Sequence, residues 1–210
     1  MLHYETIDPT TLELLKSLQE LSGLEDTRLV GGTALALHLG HRKSVDLDIF
    51  GSIGFSGEDI KNLLSPKHSI QALKESPNIN TYLIDGIKVD FVNYSYEWID
   101  SIKKEDSLRL AEVKDIAAMK ISAIIGRGTK KDFIDVYFLL KKYSLSEILQ
   151  FYSTKYPDGS LFIALKSLTY FEDAEADPMP QMLIAANWHE VKKAITEAVK
   201  TYLQTSRSAI

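Results

Sequence analysis

Cysteine is absent from this sequence of 210 residues. Its absence excludes disulfide frameworks, cysteine-ligated zinc, iron–sulfur clusters and thiol catalysis. Long hydrophobic runs are also absent: the best candidate, residues 116–126, is shorter than the roughly 18 apolar residues of a membrane span and includes Lys120. The first residues lack the basic and then apolar pattern of a signal peptide. We therefore expect a cytoplasmic protein that has no contact with a membrane.

Positive charge is scarce, since 24 lysines and arginines stand against 29 aspartates and glutamates and give a net charge of −5. This balance argues against a broad surface that coats nucleic acid, but it is compatible with a local basic groove. The apolar share of 45% and the charged share of 25% are typical of a globular protein and exclude a disordered or low-complexity chain. The length predicts one large domain or two small ones.

The pattern of the sequence changes near residue 95. Before that point, residues 28–30 and 45–50 have strand character, residues 33–39 have helical character, and Asp85-Gly86 predicts a hairpin turn. After that point strand periodicity stops, and helical patterns cover residues 112–125, 130–143, 161–171 and 188–203. Ser144 and Glu147 have the spacing of a capping box at the start of a further helix. We therefore predict an α+β fold, with a mixed β-sheet and flanking helices in residues 1–95 followed by a C-terminal helical bundle in residues 96–210.

Three aspartates lie on predicted strands. Asp46 and Asp48 are two residues apart, so their side chains share one face of a strand while Val45, Leu47 and Ile49 point into the core. Two neighbouring carboxylates repel each other unless a cation lies between them, and Mg²⁺ is typically held by one or two carboxylates together with substrate phosphates. If the strand of Asp90 is a neighbour, three carboxylates meet, as two-metal phosphoryl transfer requires. The alternative is a pair of solvated strand faces.

A glycine turn precedes these acids. Gly31-Gly32-Thr33 follows a predicted strand and opens a predicted helix, where backbone N–H groups attract phosphate and glycine allows its close approach. The twelve residues between Thr33 and Asp46 accommodate one helix and a return loop, which would bring the turn and the acids to the same end of neighbouring strands. The alternative is a plain turn with Thr33 as the N-cap. The turn is not a Walker loop, because no Gly-Lys-Ser/Thr follows.

Residues 114–131 are basic, with five cations and one acid. The cations are Lys114, Lys120, Arg127, Lys130 and Lys131. Such a strip facing an acidic metal cluster would suit a triphosphate. Lys120 lies in an apolar run, so its ammonium needs either a path to solvent or a partner. Asp132 and Asp135 share one face of an apolar helix and also need partners, so a buried salt-bridge network is the alternative to a catalytic role.

These residues together resemble a known superfamily. The set Gly31-Gly32-Thr33, Arg42, Ser44, Asp46-Leu47-Asp48 and Asp90 is similar to the nucleotidyltransferases related to DNA polymerase beta. Within that superfamily the chain resembles the AbiEii/AbiGii toxins of abortive-infection and type IV toxin–antitoxin systems. The later residues Lys120, Arg127, Lys131, Asp132 and Asp135 and the segment 170–180 extend the resemblance over nearly the whole chain. The resemblance implies a nucleotidyltransferase fold whose helical half closes the nucleotide site.

The resemblance also implies a reaction: transfer of an NMP from an NTP to an acceptor hydroxyl, with the 3′ end of tRNA as the leading acceptor and a cognate antitoxin encoded nearby. Asp46 and Asp48 would bind two Mg²⁺ ions, and Asp90 would be a third ligand or the base. The nucleotide would contact Gly31, Gly32, Thr33, Arg42, Ser44 and Arg127. Lys120, Lys131 and Asp132 would take part in catalysis.

Three other interpretations stay open at this point. The acceptor could be a protein hydroxyl instead of tRNA. The chain could be a nucleotide- or partner-binding module without turnover, although the presence of all three acids counts against that. It could also be a metal-dependent glycosyltransferase with an Asp-x-Asp motif, although the early glycine turn counts against that.

Overall fold

The computed structural model describes residues 1–54 and 56–207. The chain divides into two compact units. The first contains Met1–Tyr96 and Ser101–Glu112, and the second contains Glu97–Asp100 and the chain from Val113 onward.

The first unit is built on a mixed seven-stranded sheet with the order β3-β4-β5-β2-β1-β7-β6. The strands are β1 (Thr27–Val30), β2 (Leu47–Gly51), β3 (Ile70–Glu75), β4 (Ile79–Ile84), β5 (Ile87–Asn93), β6 (Lys103–Glu105) and β7 (Leu108–Leu110). The helices are α1 (Pro9–Gln19), α2 (Gly31–Leu39) and α3 (Gly57–Leu64). Two strand pairs, β2 with β5 and β1 with β7, are parallel, and the other pairs are antiparallel.

The middle of this sheet positions the acids. Leu47 and Ile49 of β2 and Val89 and Phe91 of β5 are fully buried, so the alternate positions of both strands share the opposite face. The predicted hairpin turn is confirmed between β4 and β5, where Asp85 and Gly86 both have positive φ (49° and 83°), as a type I′ turn requires.

The prediction that strands end near residue 95 was wrong for β6 and β7. Each of these strands has only three residues, which is too short for a periodic pattern to be visible. They form because Leu108 and Leu110 are buried and β7 pairs in parallel with β1, with Leu29 opposite Leu110. Arg109, between the two leucines, donates from its guanidinium to backbone carbonyls that include that of Thr27. Contacts with residues about 80 positions earlier therefore create this hairpin.

The second unit is helical. Its helices are α4 (Val113–Gly126), α5 (Lys130–Leu140), α6 (Leu145–Lys155), α7 (Leu161–Leu168), α8 (Glu172–Glu175) and α9 (Trp188–Arg207). The predicted capping box of Ser144 and Glu147 at the start of α6 is confirmed, and Asn187 accepts a hydrogen bond from the backbone N–H of Glu190 at the start of α9. None of the helices in the described part of the chain is long and apolar enough to cross a bilayer.

A buried ion pair explains why the segment Glu97–Asp100 belongs to the second unit. Lys155 Nζ lies 2.7 Å from Asp115 Oδ1, and neither side chain is exposed. The backbone N–H groups of Ile99 and Asp100 donate to the same carboxylate, each at 3.0 Å, and Lys155 also donates to the carbonyl of Glu97. The charged groups are therefore satisfied despite complete burial, and they attach the segment to α4 and α6.

Candidate active site

The acid positions lie side by side on neighbouring strands. Because β2 and β5 are parallel neighbours, Asp48 and Asp90 are register partners. Asp46 precedes β2 directly, and all three residues are half-buried. The strand of Asp90 therefore lies next to the strand of Asp48, which is the condition on which a three-carboxylate group depends.

The two oxygens of the Asp90 carboxylate have different surroundings. Its Oδ2 accepts a hydrogen bond from Lys88 Nζ at 2.5 Å. Its Oδ1 is buried and has no hydrogen-bond partner in the described structure. A buried carboxylate oxygen without a hydrogen-bond donor costs folding free energy. This oxygen can therefore accept a hydrogen bond or coordinate a ligand.

Lys88 belongs to the site, although the sequence analysis did not assign it a role. Burial alone would lower the pKa of its ammonium, but the hydrogen bond to Asp90 raises the pKa above its ordinary value. The negative charges of Asp48 and Asp46 act in the same direction. The one available signal was the strand period of two, which places Lys88 and Asp90 on the same face.

The glycine turn touches the acids. Helix α2 begins at Gly31, immediately after β1, so Thr33 is inside the first turn and is not the N-cap. Gly31 has φ = +69°, and a Cβ built on it would overlap the Asp48 carboxylate and lie 2.8 Å from its Cγ. A Cβ on Gly32 would overlap the Arg42 guanidinium. Only glycine allows the backbone to approach both side chains this closely.

Thr33 and Ser44 hold the segment that leads into β2. Thr33 is buried, and its hydroxyl lies 2.8 Å from Ser44 Oγ and is hydrogen-bonded to the carbonyl of Asp46. Arg42 is also buried, and its guanidinium donates to the carbonyl of Lys43 at 3.0 Å. The Thr33 hydroxyl therefore ties Asp46 to helix α2, which keeps the acids next to the glycine turn.

We expect Gly31→Ala to lower activity about 10- to 100-fold, because a Cβ must displace the Asp48 carboxylate and a shift of about 1 Å in a reacting geometry costs about that much. The matched control is Gly86→Ala, since Gly86 also has positive φ but has open space around its Cβ position. Both variants carry a backbone penalty of about 1–2 kcal/mol. Steady-state kinetics and thermal unfolding of both variants test this, and equal losses of activity would contradict it.

A second group of predicted site residues lies in the second unit. Lys120 Nζ is 3.0 Å from Asp132 Oδ1 and 2.6 Å from Asp135 Oδ2, and its side chain is only 4% exposed. Both aspartate side chains are fully buried. These buried groups therefore pair with one another, as the salt-bridge alternative describes, and Lys120 does not extend to solvent.

Asp132 has two further donors. The Arg127 guanidinium donates to both of its oxygens, at 2.9 and 3.2 Å, and the Thr129 hydroxyl donates at 2.6 Å. Burial alone would raise the pKa of Asp132, but the charges of Lys120 and Arg127 and these hydrogen bonds hold it well below its usual range. The Arg127 side chain is 58% exposed, so Asp132 orients a guanidinium that reaches solvent. Lys131 is half-buried on α5.

The low pKa of Asp132 predicts a loss of stability in acid. The pKa of an aspartate in an unfolded chain is about 3.9. The stabilisation that the ionised Asp132 provides is therefore complete above that pH, and it is lost as the pH falls towards the lower pKa of the folded state. Both tryptophans, Trp98 and Trp188, belong to the second unit, so their fluorescence reports its unfolding. We expect urea titrations between pH 7 and pH 3 to show that the free energy of unfolding declines less steeply below about pH 4 in Asp132→Asn than in the wild type. The exposed control Asp158→Asn retains the wild-type slope, and an equally steep slope in Asp132→Asn would contradict the prediction.

The predicted basic strip of residues 114–131 is not an open strip, because four of its five cations bind acceptors within the second unit. Lys114 pairs with Asp100 at 3.3 Å, and Lys120 and Arg127 pair with Asp132. Lys130 donates to the carbonyls of Glu175 and Asp177, and its own N–H is capped by the Asp177 side chain at 2.9 Å. Sequence spacing cannot show this, because the acceptors lie up to 47 positions away.

No group of three or more Asp, Glu or His side chains in residues 1–54 and 56–207 is arranged to hold a metal ion. At the acid group, the ammonium of Lys88 lies against Asp90 instead. Metal binding by Asp46, Asp48 and Asp90 therefore stays a prediction.

A family model and a relative both match most of this chain. The model of a family described as nucleotidyl transferase AbiEii toxin, type IV TA system, matches residues 13–206. Uncharacterized protein aq_aa25 of Aquifex aeolicus (strain VF5) is 36% identical over 198 residues, which cover 91% of this chain and 95% of that protein.

Two solved structures share the fold. A candidate nucleotidyltransferase from H. pylori superposes with a TM-score of 0.62 at 18% identity, over 96% of this chain and 95% of that chain. MenT4, the nucleotidyltransferase toxin Rv2826c from Mycobacterium tuberculosis H37Rv, superposes with a TM-score of 0.58 at 13% identity, over 90% of this chain and 79% of that chain.

Proposed function

We propose a reaction for this chain from one premise: it belongs to the AbiEii family of nucleotidyltransferase toxins of type IV toxin–antitoxin systems. Membership makes it a nucleotidyltransferase that uses an NTP, and it implies a cognate antitoxin. The specific reaction we propose is Mg²⁺-dependent. An acceptor hydroxyl attacks the α-phosphorus of the NTP and loses its proton to a carboxylate of the acid group, the bond from the α-phosphorus to the bridging oxygen breaks, and pyrophosphate leaves.

The observation that carries the proposal is the meeting of three features in the first unit. Asp48 lies beside Asp90 on parallel strands, and the Gly31 backbone at the start of α2 lies against the Asp48 carboxylate. A phosphate cradle is thereby adjacent to a set of carboxylates, which is the combination that phosphoryl transfer needs.

The donor set suits Mg²⁺. Asp46, Asp48 and Asp90 offer carboxylate oxygens, the ligands that hard divalent cations prefer, and the buried Oδ1 of Asp90 has no other partner among the described residues. We propose that these three residues hold two ions. When bound, the ions would make the acceptor hydroxyl a better nucleophile and neutralise the phosphates.

The glycine turn would bind the triphosphate. The N–H groups of Gly31, Gly32 and Thr33 occupy the first turn of α2, where the helix leaves its N–H groups without partners inside the helix and the helix dipole favours negative charge. Arg42 would add a fixed positive charge beside Gly32. The hydroxyls of Thr33 and Ser44 would keep the loop before Asp46 in place.

In the second unit, we propose from family membership that Lys120, Arg127, Lys131 and Asp132 take part in the reaction. The contacts favour a division of labour. Lys120 and Asp132 are buried and would act as positioning residues, while the largely exposed guanidinium of Arg127, held by Asp132, would be the charged group available to a substrate.

We propose the 3′ end of tRNA as the acceptor, which places the reaction in the cytoplasm. The test incubates the purified protein with total tRNA, Mg²⁺ and each α-labelled NTP in turn. Asp48→Asn is the inactive reference. Label on tRNA with one NTP, absent in the reference, supports the proposal and identifies the base.

Two outcomes would contradict parts of this proposal. Label on a protein band but not on tRNA would move the acceptor to a protein hydroxyl. Label on tRNA that persists in EDTA would remove the divalent cation from the reaction.

A further inference from the structure

Lys88 makes a direct ionic contact with the acid group of the first unit. It lies on β5 two residues before Asp90, on the same face, while Val89 between them is buried in the core. Its ammonium is 2.5 Å from Asp90 Oδ2, and its side chain is 43% exposed. The lysine therefore reaches the acids from the solvent side of the sheet and is not held by core packing.

The hydrogen bond from Lys88 Nζ occupies Oδ2 of Asp90, an oxygen of the carboxylate that would bind a divalent cation. Asp90 Oδ1 is buried and has no hydrogen-bond partner in the described structure, so Asp90 depends on Lys88 for its hydrogen bonding. An ion bound to Asp90 at the usual distance of about 2.1 Å would lie within a few ångströms of the ammonium. Two cations at that separation repel each other strongly in a partly buried site.

We propose that Lys88 is a resident counter-ion of the acid group, which neutralises Asp90 in the metal-free protein and is displaced when a divalent cation binds. This inference rests on the proposed function, because it takes Asp90 as a metal ligand. It assigns Lys88 a positioning and regulatory role: the lysine limits repulsion between Asp48 and Asp90 in the empty site and sets the cation concentration at which the site fills.

The experiment measures Mn²⁺ binding by the loss of the free-ion EPR signal, with no NTP present. Wild type is compared with Lys88→Met, which keeps the length of the side chain and removes the charge. We expect Lys88→Met to bind Mn²⁺ about two- to fivefold more tightly, which corresponds to release from a part-exposed ion pair. Lys88→Arg keeps the charge, and we expect it to remain close to wild type.

Two controls separate a direct contact from a general effect of charge. Lys74→Met removes an exposed lysine from β3 of the same sheet, and we expect no change in Mn²⁺ affinity. Repeating the titration in 0.5 M salt screens charges beyond a few ångströms, so the effect of Lys88→Met persists if it arises from contact. If Lys88→Met does not fold, Lys88→Gln replaces it.

Unchanged or weaker Mn²⁺ binding by Lys88→Met overturns the inference. Asp90→Asn distinguishes this failure from failure of the proposed site. If Asp90→Asn weakens Mn²⁺ binding while Lys88→Met has no effect, the metal site stands and the role of Lys88 is wrong. If Asp90→Asn leaves Mn²⁺ binding unaltered, Asp90 is not a ligand and both proposals fail.

Discussion

Asp48→Asn is expected to lower nucleotidyl transfer on the order of 10³-fold, the largest effect on activity that the structure predicts. Asp48 lies at the centre of the site, opposite Asp90 in register and against the backbone of Gly31. Asparagine has nearly the same shape but lacks the charge, so the proposed phosphate cradle remains while the proposed metal ligand weakens. Loss of about 4 kcal/mol of transition-state stabilisation corresponds to that factor.

The control for Asp48→Asn is Asp26→Asn, an exposed aspartate of the same unit that precedes β1. Initial rates at saturating NTP and near-ultraviolet circular dichroism are measured for both variants. A rate for Asp48→Asn within tenfold of wild type, with the fold retained, would remove this residue from the catalytic machinery.

Lys120→Met is expected to destabilise the second unit by about 3–5 kcal/mol, the largest effect on stability. The substitution keeps the length of the side chain but leaves Asp135 and Asp132 buried without the ammonium that lies between them. Breaking a buried ion pair from one side is costly because the remaining charge is out of contact with water. Urea unfolding followed by tryptophan fluorescence measures the change in this unit.

Lys166→Met is the matched control, because Lys166 is exposed on α7 and its removal leaves no buried charge. We expect a change of less than about 0.5 kcal/mol for this variant. The double variant Lys120→Met/Asp135→Asn is expected to recover part of the lost free energy of unfolding, since it removes one of the two buried carboxylates that no longer contact the Lys120 ammonium. A small effect of Lys120→Met would show that Arg127 and Thr129 suffice to stabilise Asp132.

Local pattern was enough to predict several features of this protein. Strand alternation was wrong for Val45, which is 54% exposed because β2 begins only at Leu47. It correctly predicted that Leu47 and Ile49 face the core, because the side-chain period of a strand depends only on the backbone. The turn at Asp85-Gly86 and the capping box at Ser144 were predicted for the same reason. Each involves residues no more than a few positions apart, so short segments determine them.

The partners of the charged residues could not be predicted from short segments. The position of Asp90 beside Asp48 depends on the order of strands in the sheet, and these residues are 42 positions apart. The ion pair between Asp115 and Lys155 was not predicted at all, because it spans 40 positions. Strands β6 and β7 were missed because β7 forms by pairing with the distant β1, and β6 in turn pairs with β7.

The sequence by itself determined the kinds of chemistry available: carboxylates on a strand face, a glycine turn that can approach phosphate, and no thiol. Tertiary structure decided which groups meet. It placed Gly31 against Asp48, turned Thr33 towards the loop of Asp46, bound the basic segment to internal acids and brought Lys88 to Asp90. The physical reason is that backbone periodicity is local, whereas the neutralisation of a buried charge depends on whichever group the packing of distant segments brings within about 3 Å.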